Sequence, residues 1–469
     1  MGNGSWRLAA FRARWMLWCT VALLLFAIVI GGGGAEAPLA NGVLEAGGAI
    51  LLCLATARHL TGRPLPPTAV WPLVFLLAFL LLILAQLIPM PPSWWDRLPG
   101  REAAASIYAL TGDKTVWHSL SLDPEATRRF ASALLLPAGL FAAAARTNHD
   151  GQIILARTIV IGGLLSVMLA IAQFVLGLPA ALFPYGRAGA AVPTGLFANP
   201  NHQAQLMLAA IVMTGVLIRL GPAPPRRHRR ERVPFHPAWL LFPVFMAGAI
   251  MTQSRAGLIL LIPALIMAIL ISAGRRGLAR FFGLSGIAVA VLAAMLAILP
   301  GGLARGMQIQ LELSAGGRIT SLPDVLYTLH QFWPWGSGFG TFVPVFKANE
   351  NLDLMGDLYL NHAHNDLLEL LIEGGLPMAV LLAAALAGMA VRLWRLAMAR
   401  ATSEPVMAMA GFAVIFLAVL HSLVDYPLRM HSLAAVVAIA LAFFQSNELP
   451  IELGPRTSGP RRPEFGSAG

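Results

Sequence analysis
The sequence predicts an all-α, polytopic membrane protein of about twelve transmembrane helices, and three observations point there. Of its 469 residues, 57% are hydrophobic and only 12% charged, with a mean hydropathy of +0.72. A soluble domain of this length needs far more charge to cover its surface. Apolar runs near spanning length recur along the chain, and arginines gather on alternate connections between them.

The runs lie at 15–33, 42–57, 70–89, 129–145, 158–177, 203–218, 237–252, 256–273, 281–299, 376–391, 405–422 and 431–445. Hydrocarbon takes roughly 20 apolar residues per helical crossing. Several runs are shorter, and the pair 237–252 and 256–273 is divided only by a polar step around Ser254–Arg255. Basic residues are retained on the cytoplasmic side, so Arg7, Arg12 and Arg14 put the N-terminus inside. Alternation then places Arg58, Arg63, Arg146, Arg157, Arg219, the Arg226–Arg232 cluster, Arg275, Arg276, Arg280, Arg392, Arg395, Arg400 and the tail inside. The outward side is left net acidic, and both termini are expected in the cytoplasm. The net charge of +11 therefore reports topology and contact with the lipid bilayer's anionic headgroups, not nucleic acid. The start resembles a signal peptide followed by small residues (GGGGAEA), but cleavage would spoil the charge alternation. The terminal PEFGSAG reads as tag-derived. Cys19 and Cys53 lie in apolar runs and imply neither a disulfide framework nor a metal site.

The organisation expected is 1–299 for the first nine of these spans, with outward loops near 90–128 and 178–202. Residues 300–375 form a large outward loop, 376–446 the last three spans and 447–469 a tail. In the first outward loop Trp94 and Trp95 suit an interfacial belt, while Asp123 can cap a helix whose first residue is Pro124. The large loop is too long for a passive connector. Its part 304–329 has helical spacing and carries Arg318. WPWGSGFGTF (Trp333–Phe342) is a Gly-rich turn whose N–H groups can cradle phosphate, although it matches no P-loop or dinucleotide fingerprint. NHAHNDLLELLIEGGLP (Asn361–Pro377) reads as an amphipathic helix. Leu367, Leu368, Leu370, Leu371 and Ile372 face membrane or core, with His362, Asp366, Glu369 and Glu373 on the other face.

His362 and His364 begin that helix, where a neutral imidazole can take a proton from a sugar hydroxyl; the plainer role is capping or loop packing. His-x-His with a following Asp also permits a metal site completed by Asp357, His202 or Asp425. No spacing compels one, and no metal or cofactor is expected. Arg255 in TQSRAG lies between two apolar runs, where a charge is costly. It is a candidate pyrophosphate ligand, because a guanidinium binds phosphate oxygens bidentately; the alternative is a structural pair with Asp425 or Glu373. Arg187, Arg318 and Arg429 are further candidates, although Asp425 and Arg429 in HSLVDYPLR can pair with each other. Asn199, Asn201 and His202 in FANPNH can bind sugar or cap the next helix.

GLFANPNHQA (195–204), TQSRAG (252–257), GSGFGTF (336–342), HAHNDLLELLIEGGLP (362–377) and HSLVDYPLR (421–429) together resemble the O-antigen ligase and polymerase superfamily of bacterial envelope glycosyltransferases. In that family a His-Asn pair is followed nine residues later by Gly-x-x-Gly, Thr or Tyr. His364, Asn365 and Gly375 match, while Met378 replaces the last residue. The resemblance implies a GT-C-like fold in the bacterial inner membrane and a periplasmic active site. It implies transfer of an undecaprenyl-pyrophosphate-linked oligosaccharide to an acceptor hydroxyl, without metal or nucleotide sugar, beside other envelope polysaccharide assembly proteins. His364 takes the place of the motif histidine and Arg255 that of the Ser-Arg arginine. Arg187 or Arg318 can supply a second arginine, and His362 and Asn365 join the substrate-binding set. The acceptor is either another repeat unit, making a polymerase, or lipid A core, making a ligase. Polymerisation is favoured because no second hydrophilic domain suggests docking of a protein acceptor. A transporter or flippase is the reading of another class; against it stand the lack of an internal repeat and the gathering of polar residues in one outward loop.

Overall fold
The computed structural model describes residues 3–34, 37–61, 65–112, 115–177, 179–186, 192–220, 236–272, 321–351, 360–398 and 405–446. The run at 281–299, the Arg226–Arg232 cluster, Arg187, Arg318, Asp357 and the tail lie outside them. The protein is mostly helical. Its elements are α1 (Asn3–Ile30), α2 (Pro38–Thr61), α3 (Pro67–Ala85), β1 (Pro89–Met90), α4 (Pro92–Trp95), α5 (Glu102–Thr111), β2 (His118–Ser119), α6 (Pro124–Ala133), α7 (Leu135–Ala144), α8 (His149–Val175) and α9 (Pro200–Leu220). After them come α10 (Leu241–Met251), α11 (Arg255–Ser272), α12 (321–332), α13 (Phe342–Lys347), α14 (Asp366–Met398), α15 (Val406–His421) and α16 (His431–Phe444). Six of these, α2, α3, α8, α9, α11 and α14, are long and apolar enough to cross a membrane. Shorter apolar helices are the Trp15–Ile30 part of α1, Pro237–Met251, α15 and α16. The expected span at 129–145 is divided between α6 and α7, which meet at Leu134.

Exposed apolar side chains mark the helix faces suited to lipid. On α3, Val70, Val74, Leu77, Leu81 and Leu84 are exposed, a stripe at helical period that water would not tolerate. Ile259, Ile262, Ile266 and Leu270 repeat the pattern on α11, and Ile161, Leu165, Met168, Ile171 and Val175 on α8. By contrast α9 is buried nearly throughout, packed by α8, α10, α15 and α16. Without a hydrophobic drive between helices in lipid, close approach depends on small residues. At the α2–α7 contact a Cβ on Gly139 would sit 2.2 Å from the Gly48 carbonyl oxygen. At the far end of α16, Arg392 donates to the carbonyls of Phe444 (3.1 Å) and Ser446 (2.8 Å), satisfying groups that a helix C-terminus leaves open.

Residues 86–112 and 115–121 form a small unit that follows α3. β1 pairs with β2 antiparallel, Pro89 with Ser119 and Met90 with His118. Arg101, fully buried, pins this unit to the Gly-rich turn by donating to the carbonyls of Leu120 (2.6 Å) and Gly336 (3.1 Å). Burial lowers its pKa to about 10. Trp94 is exposed, as an interfacial belt requires, but Trp95 is not: it is buried and donates to the Ser119 carbonyl at 2.8 Å. Asp123 caps α6 as expected, accepting from the amides of Glu125 and Ala126.

The α2–α7 approach yields a test. Gly139→Val should cost about 1–3 kcal/mol by overpacking, seen as a lower unfolding midpoint in detergent. Gly42→Val, with nothing within 4 Å of its added Cβ, should not move it. Equal midpoints would contradict the contact.

Candidate functional site
The site is assembled where the start of α14 meets the turn between α15 and α16. Asn365 caps α14, its side-chain oxygen accepting from the amides of Leu367 and Leu368 at 3.0 Å each, while its Nδ2 donates to the Leu423 carbonyl at 3.0 Å. The Asp366 amide donates to the Ser422 carbonyl at 2.9 Å. Upstream, the Glu369 carboxylate reaches back: Oε2 accepts from the Ala363 amide and Oε1 pairs with His362 Nδ1, both at 2.9 Å. His364 is thus suspended between two anchors, and its backbone is left-handed, with φ +48°. For a non-glycine residue this costs on the order of 1–3 kcal/mol, and such strain gathers at functional sites. Among the described residues only Gln253, with φ +56°, shares the feature. It lies one residue from the Ser254–Arg255 step.

Asp425 comes from the opposite side and is fully buried. Its Oδ1 accepts from the Tyr426 amide at 2.8 Å and lies 3.6 Å from His364 Nδ1 and 3.9 Å from His202 Nε2. Its Oδ2 accepts from the Asn201 side-chain amide. The Tyr426 ring packs against His362 (4.2 Å), His202 (5.0 Å) and His364 (5.2 Å). Burial, then the Asp425 charge, pushes the Tyr426 hydroxyl up to about 12, and it bonds Asn361 and Asn199. It therefore remains protonated at neutral pH.

Behind this pair lies an ionic cluster. Arg429 Nη2 is 3.0 Å from Glu373 Oε2 and 3.2 Å from Glu369 Oε1, its Nε is 3.7 Å from Asp366 Oδ1, and the guanidinium lies 4.9 Å from the Phe130 ring centre. Burial pulls the Arg429 pKa down, but the charges of Glu369, Glu373 and Asp366 outweigh it and hold the pKa above its ordinary value.

Arg255 begins α11. Ser254 caps that helix by accepting from the Gly257 amide at 3.0 Å, and the Arg255 side chain is exposed. Gly257 presses on Ala204, where an added Cβ would lie 2.5 Å from the alanine Cβ. Arg255 therefore stands beside the first turn of α9, which carries Asn201 and His202. Asn199 caps that turn by accepting from the Asn201 amide at 2.9 Å.

Residues 239–383 match the O-antigen ligase family. That match supports the O-antigen ligase and polymerase superfamily, and it takes in the Ser254–Arg255 step, the Gly-rich turn and the His362–Asn365 turn. No curated protein matches the chain.

The site differs from its sequence reading in several ways. The acidic face of α14 is its most buried part, since Asp366, Glu369 and Glu373 are each at most 1% exposed; Arg429 and His362 supply the charge and donors that make this affordable. Asp425 and Arg429 turn to separate partners, because the 427–429 turn points the guanidinium at α14. Arg429, 12% exposed and surrounded by acids, is spoken for as an anion ligand. The Gly-rich turn spends its amides on protein: Ser337 and Gly338 donate to the carbonyls of Ile372 and Glu373 at 3.0 Å each, and Phe339 to Gln86 Oε1 at 2.9 Å. Arg255 is exposed and has no ion pair among the described residues; Glu373 is held by Arg429, and Asp425 by Asn201 and the histidines. Met378, the departure from the family pattern, packs with Phe79, Ile83 and Phe339. The structure brings together His362, His364, Asn365, Asn199, Asn201, His202 and Asp425. It adds Tyr426, which the sequence analysis did not single out.

Removing one partner of a buried ion cluster leaves uncompensated charge. Arg429→Met is expected to destabilise the protein by about 3–5 kcal/mol, measured as a lowered unfolding midpoint, with Arg429→Lys losing less. A midpoint unchanged in Arg429→Met would show that the acids do not depend on it.

Proposed function
We propose that this protein is a glycosyltransferase that moves an undecaprenyl-pyrophosphate-linked glycan to an acceptor sugar hydroxyl on the periplasmic face of a bacterial inner membrane. One observation carries the reading. Within the segment that matches the O-antigen ligase family, His364 is held in a left-handed conformation with its Nδ1 3.6 Å from the buried Asp425 carboxylate.

That geometry suits a general base. The Asp425 carboxylate lies 3.6 Å from Nδ1, outside hydrogen-bond range but close enough to act by charge, and we assign Nε2 to the acceptor. As the acceptor oxygen attacks the anomeric carbon, its proton passes to His364, and the bond to the pyrophosphate breaks with its electron pair leaving on phosphate oxygen. The Asp425 carboxylate stabilises the imidazolium that forms. Attack opposite the leaving group inverts the anomeric centre. Arg255, exposed beside the first turn of α9, is the group we assign to the pyrophosphate, whose negative charge grows in the transition state. Arg187 and Arg318 are the candidates for a second cation. Asn201, Asn199, His202 and Tyr426 line the Asp425 side and are assigned to positioning. No step calls for a metal. The twelve-span GT-C-like architecture, the cytoplasmic termini and the division at 300–375 belong to the same proposal.

We favour polymerisation of repeat units. The family's own description, O-antigen ligase, favours transfer to lipid A core as the second reading. Purified protein with undecaprenyl-pyrophosphate-linked repeat units in EDTA separates them. A ladder of longer lipid-linked glycans indicates a polymerase; transfer only when core is added indicates a ligase; silence with both returns the transporter reading. His364→Ala should lose about 10²–10⁴-fold in kcat and Arg255→Ala about 10²–10³-fold. Full activity in His364→Ala would remove the histidine from the mechanism.

A further inference from the structure
The Glu369 carboxylate does two things at once. Its Oε1 pairs with His362 Nδ1 and its Oε2 accepts the Ala363 amide, both at 2.9 Å, so that one side chain brackets the two residues before His364. Oε1 is also 3.2 Å from Arg429 Nη2. The Glu369 end of the bracket is buried, its side chain 2% exposed against 21% for His362, so the carboxylate is shielded from water. A strained backbone persists only where its surroundings over-determine it. After His364 that work is done by Asn365 and Asp366, bonded to the carbonyls of Leu423 and Ser422. Before His364, Glu369 holds residues 362 and 363, with the Tyr426 hydroxyl bonding Asn361 just upstream. The His362 ring is set by the same bond and lies 4.2 Å from the Tyr426 ring, so the bracket also fixes the aromatic neighbour that His362 and His364 share.

We infer that Glu369 is a positioning residue for glycan transfer, clamping residues 362–363 so that His364 meets the acceptor, with Arg429 holding the clamp; this rests on His364 acting as the base. Glu369 touches no reacting atom in this scheme. Its loss should move kcat and leave the donor KM alone, since misplacing a base by about 1 Å can cost on the order of 100-fold.

The test uses the full-length protein in detergent or nanodiscs. Glu369→Gln keeps the shape but turns an amide toward one of the donors. His362→Phe keeps the ring over Tyr426 and removes only the bond to Glu369, so it tests the clamp without burying an unpaired charge. The expected result is a fall of roughly 100-fold in kcat for Glu369→Gln and about tenfold for His362→Phe, with donor KM within about twofold of wild type. Amide exchange in peptides covering 360–366 should quicken in both variants while peptides from α8 and α9 stay as in wild type. Wild-type kcat in both variants sinks the positioning role, and so does exchange across 360–366 that does not change in Glu369→Gln, whatever the activity. A proportional rise in KM would point instead to a substrate ligand and overturn the assignment. Failure of the underlying reading looks different: wild type transfers nothing, or His364→Ala transfers normally.

Discussion
The structure around the site depends on a single guanidinium. Arg429 faces three carboxylates from successive turns of α14, Asp366, Glu369 and Glu373, each almost fully buried. Desolvating one such charge costs several kcal/mol, and only good geometry with further hydrogen bonds repays it. The further bonds are present. Asp366 accepts from the Ser422 hydroxyl and the Leu428 amide, Glu369 from the Ala363 amide, and Glu373 from the Phe342 amide. Each comes from a different segment. The cluster therefore fixes the relative positions of the α15–α16 turn, the His362–Asn365 turn and α13, which is what the proposed His364–Asp425 pair, drawn from two of them, requires.

A second constraint works through backbone. α14 is bent at Gly375, whose φ of +59° and ψ of −152° only glycine adopts readily, and Pro377 follows in the next turn. Into that bend fits the Gly-rich turn: a Cβ on Gly375 would lie 2.1 Å from the Pro334 carbonyl oxygen, and one on Gly336 2.4 Å from that of Glu373. The Leu376 amide closes the contact with Pro334 at 2.7 Å. The same backbone contact that shapes the acidic turn of α14 also ties it to the β1–β2 unit through Arg101.

Helices were legible because lipid imposes composition: every apolar run inside the described residues falls on a helix. The Asp123 cap and the capping role of Asn199 were legible because caps are local. What the sequence could not convey is which polar residues are buried. Asp366, Glu369 and Glu373 at three- and four-residue spacing look like a solvated face, since nothing in 362–377 reveals an arginine more than fifty residues on. The Gly-rich turn misled for a related reason. Its free amides invite an anion, but tertiary structure offered them carbonyls and Gln86 first. His364 and Asp425 were each marked as candidates, yet their partnership is tertiary and no spacing announces it.

On the proposed reading, in which Arg255 takes the pyrophosphate, burying so much charge at the same site has a physical logic. Two opposite demands meet there: an anionic leaving group needs a mobile, accessible cation, while a base needs a rigid carboxylate behind it. Placing Arg255 exposed at the start of α11 and Arg429 enclosed behind α14 separates the two tasks. If Arg429 were free to bind phosphate, Glu369 would lose its counter-charge whenever substrate arrived, and the His362–His364 turn would loosen at the moment it must be firm. Enclosure by three acids prevents that exchange, because a dianionic ligand would have to displace carboxylates that are already bonded to backbone and side-chain donors. The rigidity of the proposed base and the openness of the proposed anion site are thus consequences of one arrangement of charge.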